Sequence, residues 1–182
     1  MKRATIDAGH GGEDPGALSD KLREKDLTLK IALYAEEFLR KNFEVLIKMT
    51  RSNDVFVSLA ERARIANRFK SDLFVSIHIN ASENGTGFES YIYPETKQRT
   101  REFQKVLHSE ITATINKHRN IKDRGLKTAH YLVLKKTSMP AVLTENLFID
   151  LDGDLLSRES FLKDVGEAHA RAIAQFLELP KI

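Results

Sequence analysis

Between Leu73 and Ile79 the chain is apolar at Leu73, Phe74, Val75, Ile77 and Ile79. In an extended backbone those positions fall on both faces, so the segment reads as a strand covered on both sides, as in a parallel sheet between layers of helices. Its surroundings agree. Ala4–Asp7 reads as a first strand running into the glycine-rich Gly9–Gly16, and from Asp26 onward Leu27, Ile31, Tyr34, Ala35 and Phe38 recur at helical spacing. Val45–Met49 is a second short strand. Ser58-Leu59-Ala60-Glu61 is a capping box that opens a helix to about Arg68. Phe88–Tyr93 alternates and stops at Pro94, the pattern of a strand nearer an edge. Phe103, Leu107, Ile111 and Ile115 predict a helix from about Lys97 to Lys117. Strands are expected near Tyr131–Leu134 and Ala141–Thr144, followed by an acidic surface loop and a helix with Val165, Ala172, Ile173 and Phe176 on one stripe. Alternating strands and helices give an α/β fold: one domain over residues 1–182, with a mainly parallel twisted sheet of about six strands and helices on both faces.

Composition narrows the chemistry. With 182 residues there is length for one core, and no cysteine to supply disulfides, thiolate nucleophiles or Cys-ligated metals. Any metal must be held by His, Asp or Glu. A net charge of +3 from 29 basic and 26 acidic residues is too small to argue for nucleic acid, and none is expected as a partner. No apolar run approaches the roughly 18–20 residues of a membrane span, and the first residues do not resemble a secretory signal.

In open parallel sheets ligands bind beyond the carboxyl ends of the strands. The residues just past those ends are His10, His78 and Glu145, with Glu24 at a helix start. Two imidazoles and a carboxylate form a set that suits a catalytic zinc with one position left for water, and Glu145 could then move protons. Sequence spacing alone leaves other readings open. His10 and Glu24 could be solvated loop residues, His78 a core histidine with one bonded nitrogen, and Glu145 a strand-end carboxylate in an ion pair. Asn80 lies two residues past His78 on the same strand face and could orient a ligand or hold a substrate amide. Glu89 could approach the site or bond a neighbouring strand, and Arg124 could bind a carboxylate or fix its loop.

Other patterns fail on inspection. Gly9-His10-Gly11 lacks the third glycine of a dinucleotide loop, because Asp14 stands there, and Gly11–Gly16 is followed by Ala17 instead of a P-loop lysine. Asp150-Leu151-Asp152-Gly153-Asp154 has its glycine at the wrong position for a calcium loop, with Phe161 where the bidentate glutamate belongs. His108-Ser109-Glu110 lacks the cysteines of zinc deaminases. His108, His118, His130 and His169 are read as non-catalytic.

A further set of motifs runs through the chain in order: Ile6-Asp7-Ala8-Gly9-His10-Gly11-Gly12, Asp14-Pro15-Gly16-Ala17, Glu24-Lys25-Asp26, Thr50-Arg51, Ser76-Ile77-His78-Ile79-Asn80, Asp123-Arg124-Gly125 and Pro140-Ala141-Val142-Leu143-Thr144-Glu145. Together they resemble the zinc-dependent N-acetylmuramoyl-L-alanine amidases of the amidase_3 family, over nearly the whole chain. Gly87–Pro94 and Leu143-Thr144-Glu145-Asn146 look most like its Bacillus-type sporulation and prophage members. The resemblance implies one Zn2+ per chain bound by His10, Glu24 and His78, with Glu145 as the catalytic glutamate. It also implies a substrate: the amide between the lactyl group of N-acetylmuramic acid and the L-alanine of the peptidoglycan stem. Glu89, Asn80 and Arg124 become candidates for substrate binding. Two departures stand out. Ile79 occupies a position that is more often alanine, and Leu147 replaces a usual glycine, where a side chain would alter the loop beside the zinc. The alternatives are a zinc peptidase cutting within the stem and a non-catalytic wall-binding module. The chain is expected to act on peptidoglycan as a monomer, reaching the wall through lysis or as a piece of a larger secreted protein.

Overall fold

The computed structural model describes residues 1–19 and 21–182. Among the described residues six strands alternate with six helices. They are β1 (Arg3–Ala8), α1 (Glu24–Asn42), β2 (Leu46–Met49), α2 (Leu59–Phe69), β3 (Leu73–Asn80) and β4 (Phe88–Ile92), then α3 (Gln98–His118), β5 (Asp123–Thr128), α4 (Leu132–Lys136), β6 (Ala141–Phe148), α5 (Gly153–Leu156) and α6 (Glu159–Leu177). One sheet has the order β2-β1-β3-β6-β4-β5. The first four of these strands run parallel, β4 is antiparallel to β6, and β5 is parallel to β4. The expected α/β fold with a mainly parallel six-stranded sheet is present.

Period-two alternation decides what each face does. On β3, Val75, Ile77 and Ile79 belong to the large core that also holds Ile31 of α1, Phe103 of α3 and Ile173 of α6. Phe74 points the other way, into a smaller cluster with Ala66 of α2, Leu134 of α4 and Leu143 of β6. Helix α6 lies between α1 and α3 and approaches α1 closely: a Cβ on Gly166 would sit 2.6 Å from the Ile31 carbonyl oxygen. At the start of α2 the Ser58 hydroxyl accepts the Glu61 backbone N–H, one half of the capping box read from the sequence.

Three expectations are corrected. The strand near Tyr131–Leu134 is instead the one-turn helix α4, and the sixth strand is β5, the edge of the sheet. An edge strand needs no double apolar covering, so Asp-Arg-Gly-Leu-Lys-Thr carries no hydrophobic signal. Strand β4, next to it, lies near the edge as its pattern suggests, whereas β6 does not stop at Thr144 but runs on to Phe148, which puts Glu145 inside the strand. Finally, the acidic segment is not wholly a surface loop. Asp152 is buried and accepts hydrogen bonds from the Phe148 and Gly87 backbone N–H groups, the Thr86 hydroxyl and the Arg119 guanidinium. It ties the ends of β6 and α3 to the loop before β4.

His169, on the core face of α6, is fully buried between the Val165 carbonyl oxygen, 2.8 Å from Nδ1, and the Thr144 hydroxyl of β6, 3.0 Å from Nε2. A neutral ring donates at Nδ1 and accepts at Nε2, and burial lowers its pKa from 6.5 to about 4. Because the unfolded chain takes up the proton first as pH falls, the stability held above pH 6.5 is lost between there and pH 4. The loss is about 3 kcal/mol. Urea unfolding at pH 7 and pH 4 should show the parent losing that much more stability than His169→Gln, and equal losses would contradict the neutral assignment.

Candidate active site

The site begins with the way β1 ends. Asp7, fully buried, accepts hydrogen bonds from the Thr50 hydroxyl (2.6 Å), the Ser76 hydroxyl (2.6 Å) and the Arg62 guanidinium of α2 (2.8 Å). Burial pushes its carboxyl pKa up, but the Arg62 charge and these hydrogen bonds outweigh burial and hold it below the usual range. Arg62 also donates to the Ala8 carbonyl and, at 2.7 Å, to that of His10. Arg51 donates to the Ala8 and Gly9 carbonyls. With its carbonyl so held, His10 adopts a left-handed φ of 60°, a conformation a non-glycine residue keeps only when its neighbours impose it.

That turn sends the His10 ring toward β3. His10 Nε2 lies 3.1 Å from one oxygen of Glu24, and His78 Nδ1 lies 3.0 Å from the other. The two rings meet edge to face with centroids 5.0 Å apart. Gly9 and Gly16 make room: a Cβ on Gly9 would stand 2.5 Å from the His78 ring, and one on Gly16 2.5 Å from the Glu24 carboxylate. Glu24 accepts the Ala17 and Ile79 backbone N–H groups as well. Burial raises its pKa, yet the hydrogen bonds and charges of both histidines bring it far below the ordinary carboxylate value. His10 is desolvated too, which lowers its pKa, but Glu24 and Asp14 outweigh burial and raise it. One donor atom from each of His10, Glu24 and His78 lies within 4.8 Å of the others. Two imidazole nitrogens and a carboxylate oxygen so placed can hold one divalent cation, and among the described residues no other group of His, Asp and Glu converges in this way.

Glu145 is the register partner of His78 on β6 and faces the same side of the sheet. Its Oε2 is buried with no hydrogen-bond partner among the described residues. Burial, and then the charges of Glu24 and Glu89, push its pKa well above the usual value. Glu89 sits opposite Glu145 across the antiparallel β4–β6 pair. It accepts from Asn80 Nδ2 (2.7 Å), the Tyr91 hydroxyl (2.8 Å), Arg124 Nε (2.8 Å) and Lys127 Nζ. Burial raises the Glu89 pKa, and the two cations and Tyr91 bring it below normal. Asn80, Glu89 and Arg124, three isolated candidates in the sequence, are one hydrogen-bonded cluster beside Glu145. Arg124 stands on β5, not in a loop, and its guanidinium also covers the Phe148 ring at 4.8 Å.

Leu147 departs from what was expected of it. Its side chain is fully buried in the large core instead of lining the loop beside the site, and the strain falls on its backbone, at a φ of 71°. Sequence reading missed four residues. Asp14 accepts His10 Nδ1–H at 2.8 Å; the available signal was a carboxylate four residues on in the same glycine loop. Lys127 and Tyr91 complete the Glu89 cluster. Arg62 lies on an ordinary helix and carried no signal.

Residues 5–175 match the family model described as Amidase_3, N-acetylmuramoyl-L-alanine amidase. An endolysin of Bacillus phage SPP1 is 52% identical, covering 99% of this chain and 68% of that protein. The sporulation-specific N-acetylmuramoyl-L-alanine amidase of Bacillus subtilis (strain 168) is 44% identical, covering 100% and 70%. The catalytic domain of CwlV, an N-acetylmuramoyl-L-alanine amidase from Bacillus (Paenibacillus) polymyxa var. colistinus, superposes with a TM-score of 0.91 at 33% identity, covering 99% of this chain and all of that one. The fold, the converging donors and these relatives agree: the chain belongs to the Amidase_3 family of N-acetylmuramoyl-L-alanine amidases.

Proposed function

We propose that the chain is a zinc-dependent peptidoglycan hydrolase that cleaves the amide between the lactyl group of N-acetylmuramic acid and the L-alanine of the stem peptide. In this reading residues 1–182 form the catalytic domain, and the wall is its place of action. The observation that carries the proposal is the convergence of His10, Glu24 and His78 within 4.8 Å beside the unpaired Glu145 oxygen. One chain supplies all four side chains, which supports action as a monomer.

His10, Glu24 and His78 would hold the ion, with Asp14 fixing the His10 tautomer so that Nε2 is free to bind it. When bound, zinc supplies a Lewis acid for the scissile carbonyl and makes water deprotonation accessible near neutral pH. Glu145 has the proton-transfer role. Its Oε2 has no competing partner, and a carboxyl whose pKa lies above the ordinary range can take a proton from water and then give it to the departing alanine nitrogen. Balance is kept: the C–N bond breaks, water adds hydroxyl to the carbonyl carbon, and its proton leaves with the amine. Arg124 and Lys127 both pair with Glu89, the register partner of Glu145, and carry more positive charge than Glu89 cancels, which supports their binding a carboxylate of the stem. Glu89 holds those cations in place, and Asn80 in turn donates to Glu89.

Digestion of purified peptidoglycan should create new amino-terminal L-alanine and no other new amino end. New amino ends on other stem residues would identify a peptidase, and binding without new ends a wall-binding module. Glu145→Gln should keep its metal and lose roughly 10²–10⁴-fold in kcat, and an unimpaired variant would refute the proton-transfer role. His78→Ala should lose both zinc and activity. Asp14→Ala should weaken zinc binding by about 10–100-fold, as read by competition with a chromogenic chelator. Stoichiometric zinc retained by His78→Ala would refute the ligand set.

A further inference from the structure

The charge of this chain is unevenly placed. Residues 97–136 contain eleven Lys or Arg against three Asp or Glu, a net of +8, whereas the remainder contains 18 against 23, a net of −5. Those forty residues build α3, β5 and α4. The three elements are contiguous around one side of the molecule: β5 is the free edge of the sheet, α3 packs against β4 and β5 on one face, and α4 packs with α2 on the other.

Only three of the eleven cations, Arg119, Arg124 and Lys127, pair with a carboxylate among the described residues. Lys97, Arg101 and Lys105 stand four residues apart along α3 and are exposed. Like charges at that spacing repel, and Glu102 is the one acidic residue along this stretch of the helix, so the row carries more positive charge than the helix itself offsets. Lys105 lines a groove of about 500 Å³ between α3 and β5, and Lys122 is exposed where β5 begins. Charged residues on an edge strand block edge-to-edge pairing, a need that Arg124 and Lys127 already meet. The cations of the helices lie off that edge and require another explanation.

From this we infer that the α3–β5–α4 side docks an extended polyanion of the cell wall, a polymer with repeating phosphodiester groups, and so holds the enzyme on its substrate. Charge complementarity carries the assignment. The 21 residues of α3 span about 30 Å, longer than a match to the few carboxylates of one stem peptide requires, and a repeating polyanion supplies charge along that length. The band leads through Arg124 and Lys127 to Glu89, opposite Glu145, so a polymer bound there lies beside the reacting bond. The choice of a wall polymer rests on the proposed action on peptidoglycan.

The test is sedimentation binding of the full chain to purified Gram-positive walls, before and after hydrofluoric acid has removed their phosphodiester polymers, across a salt series. Stripped walls should bind about 10-fold more weakly, with the difference shrinking as salt rises. K97E/K105E/K122E should bind intact walls as weakly as the parent binds stripped ones, while cleaving a small soluble muropeptide at the parental rate. K97Q/K105Q/K122Q gives the same comparison where charge reversal disturbs folding. Equal binding of the parent to intact and stripped walls would overturn the inference. So would a folded triple variant that binds intact walls like the parent, or duplex DNA that displaces the protein at lower phosphate concentration than poly(glycerol phosphate) does. Every wall-binding arm carries Glu145→Gln to suppress cleavage, so failure of the parent to cleave the muropeptide would count against the amidase reading alone.

Discussion

The ion pair between Asp7 and Arg62 holds the site together from below. Both side chains are buried, and each is held by several hydrogen bonds: Asp7 by Thr50, Ser76 and Arg62, and Arg62 by Asp7 and the carbonyls of Val57, Ala8 and His10. A buried pair of this kind adds little net stability over an apolar replacement, but removing one partner leaves a stranded charge, at a cost of about 3–5 kcal/mol. What the pair provides here is direction. It joins β1, β3, α2 and the strained His10 turn at one point, and from that turn the ring of His10 meets Glu24 and His78.

The rest of the site follows from strand polarity. Parallel β1, β3 and β6 end at the same edge of the sheet, which sets His10 just beyond β1, His78 near the end of β3, and Glu145 beside His78 in register. Antiparallel β4 then brings Glu89 to Glu145 from the opposite direction, and β5 brings Arg124 and Lys127 to Glu89. Two carboxylates thus share one neighbourhood with opposite surroundings. Glu89 is held ionised by cations and hydrogen bonds, while Glu145 is desolvated and unpaired, and the environments drive their proton affinities apart. The proposed proton transfer at Glu145 would draw on that division.

Much of this was legible in the residues. Double-sided apolarity at Leu73–Ile79 and helical spacing in α1 and α3 carried the fold, the rule that strand ends carry chemistry pointed to His10, His78 and Glu145, with Glu24 at a helix start, and the family motifs joined the four into one expected site. The failures are equally physical. Strand β5 was missed because an edge strand covered on few sides needs no apolar alternation, and α4 was taken for a strand because a one-turn helix is too short to show a period. Asp152 looked like part of a solvated acidic loop because burial of a carboxylate depends on which donors surround it, here Thr86, Gly87, Phe148 and Arg119.

By itself the sequence determined the layered α/β architecture, the donor types available to a metal and the positions where they occur, since hydrophobic period and residue chemistry are local properties of the chain. Only the tertiary structure decided that Asp14 steers His10, that Asn80, Glu89, Arg124 and Lys127 form one cluster, and that the surplus cations gather on one side. Those facts depend on how the backbone turns and on distances between separate segments, and both are set only once the strands have paired and the helices have packed.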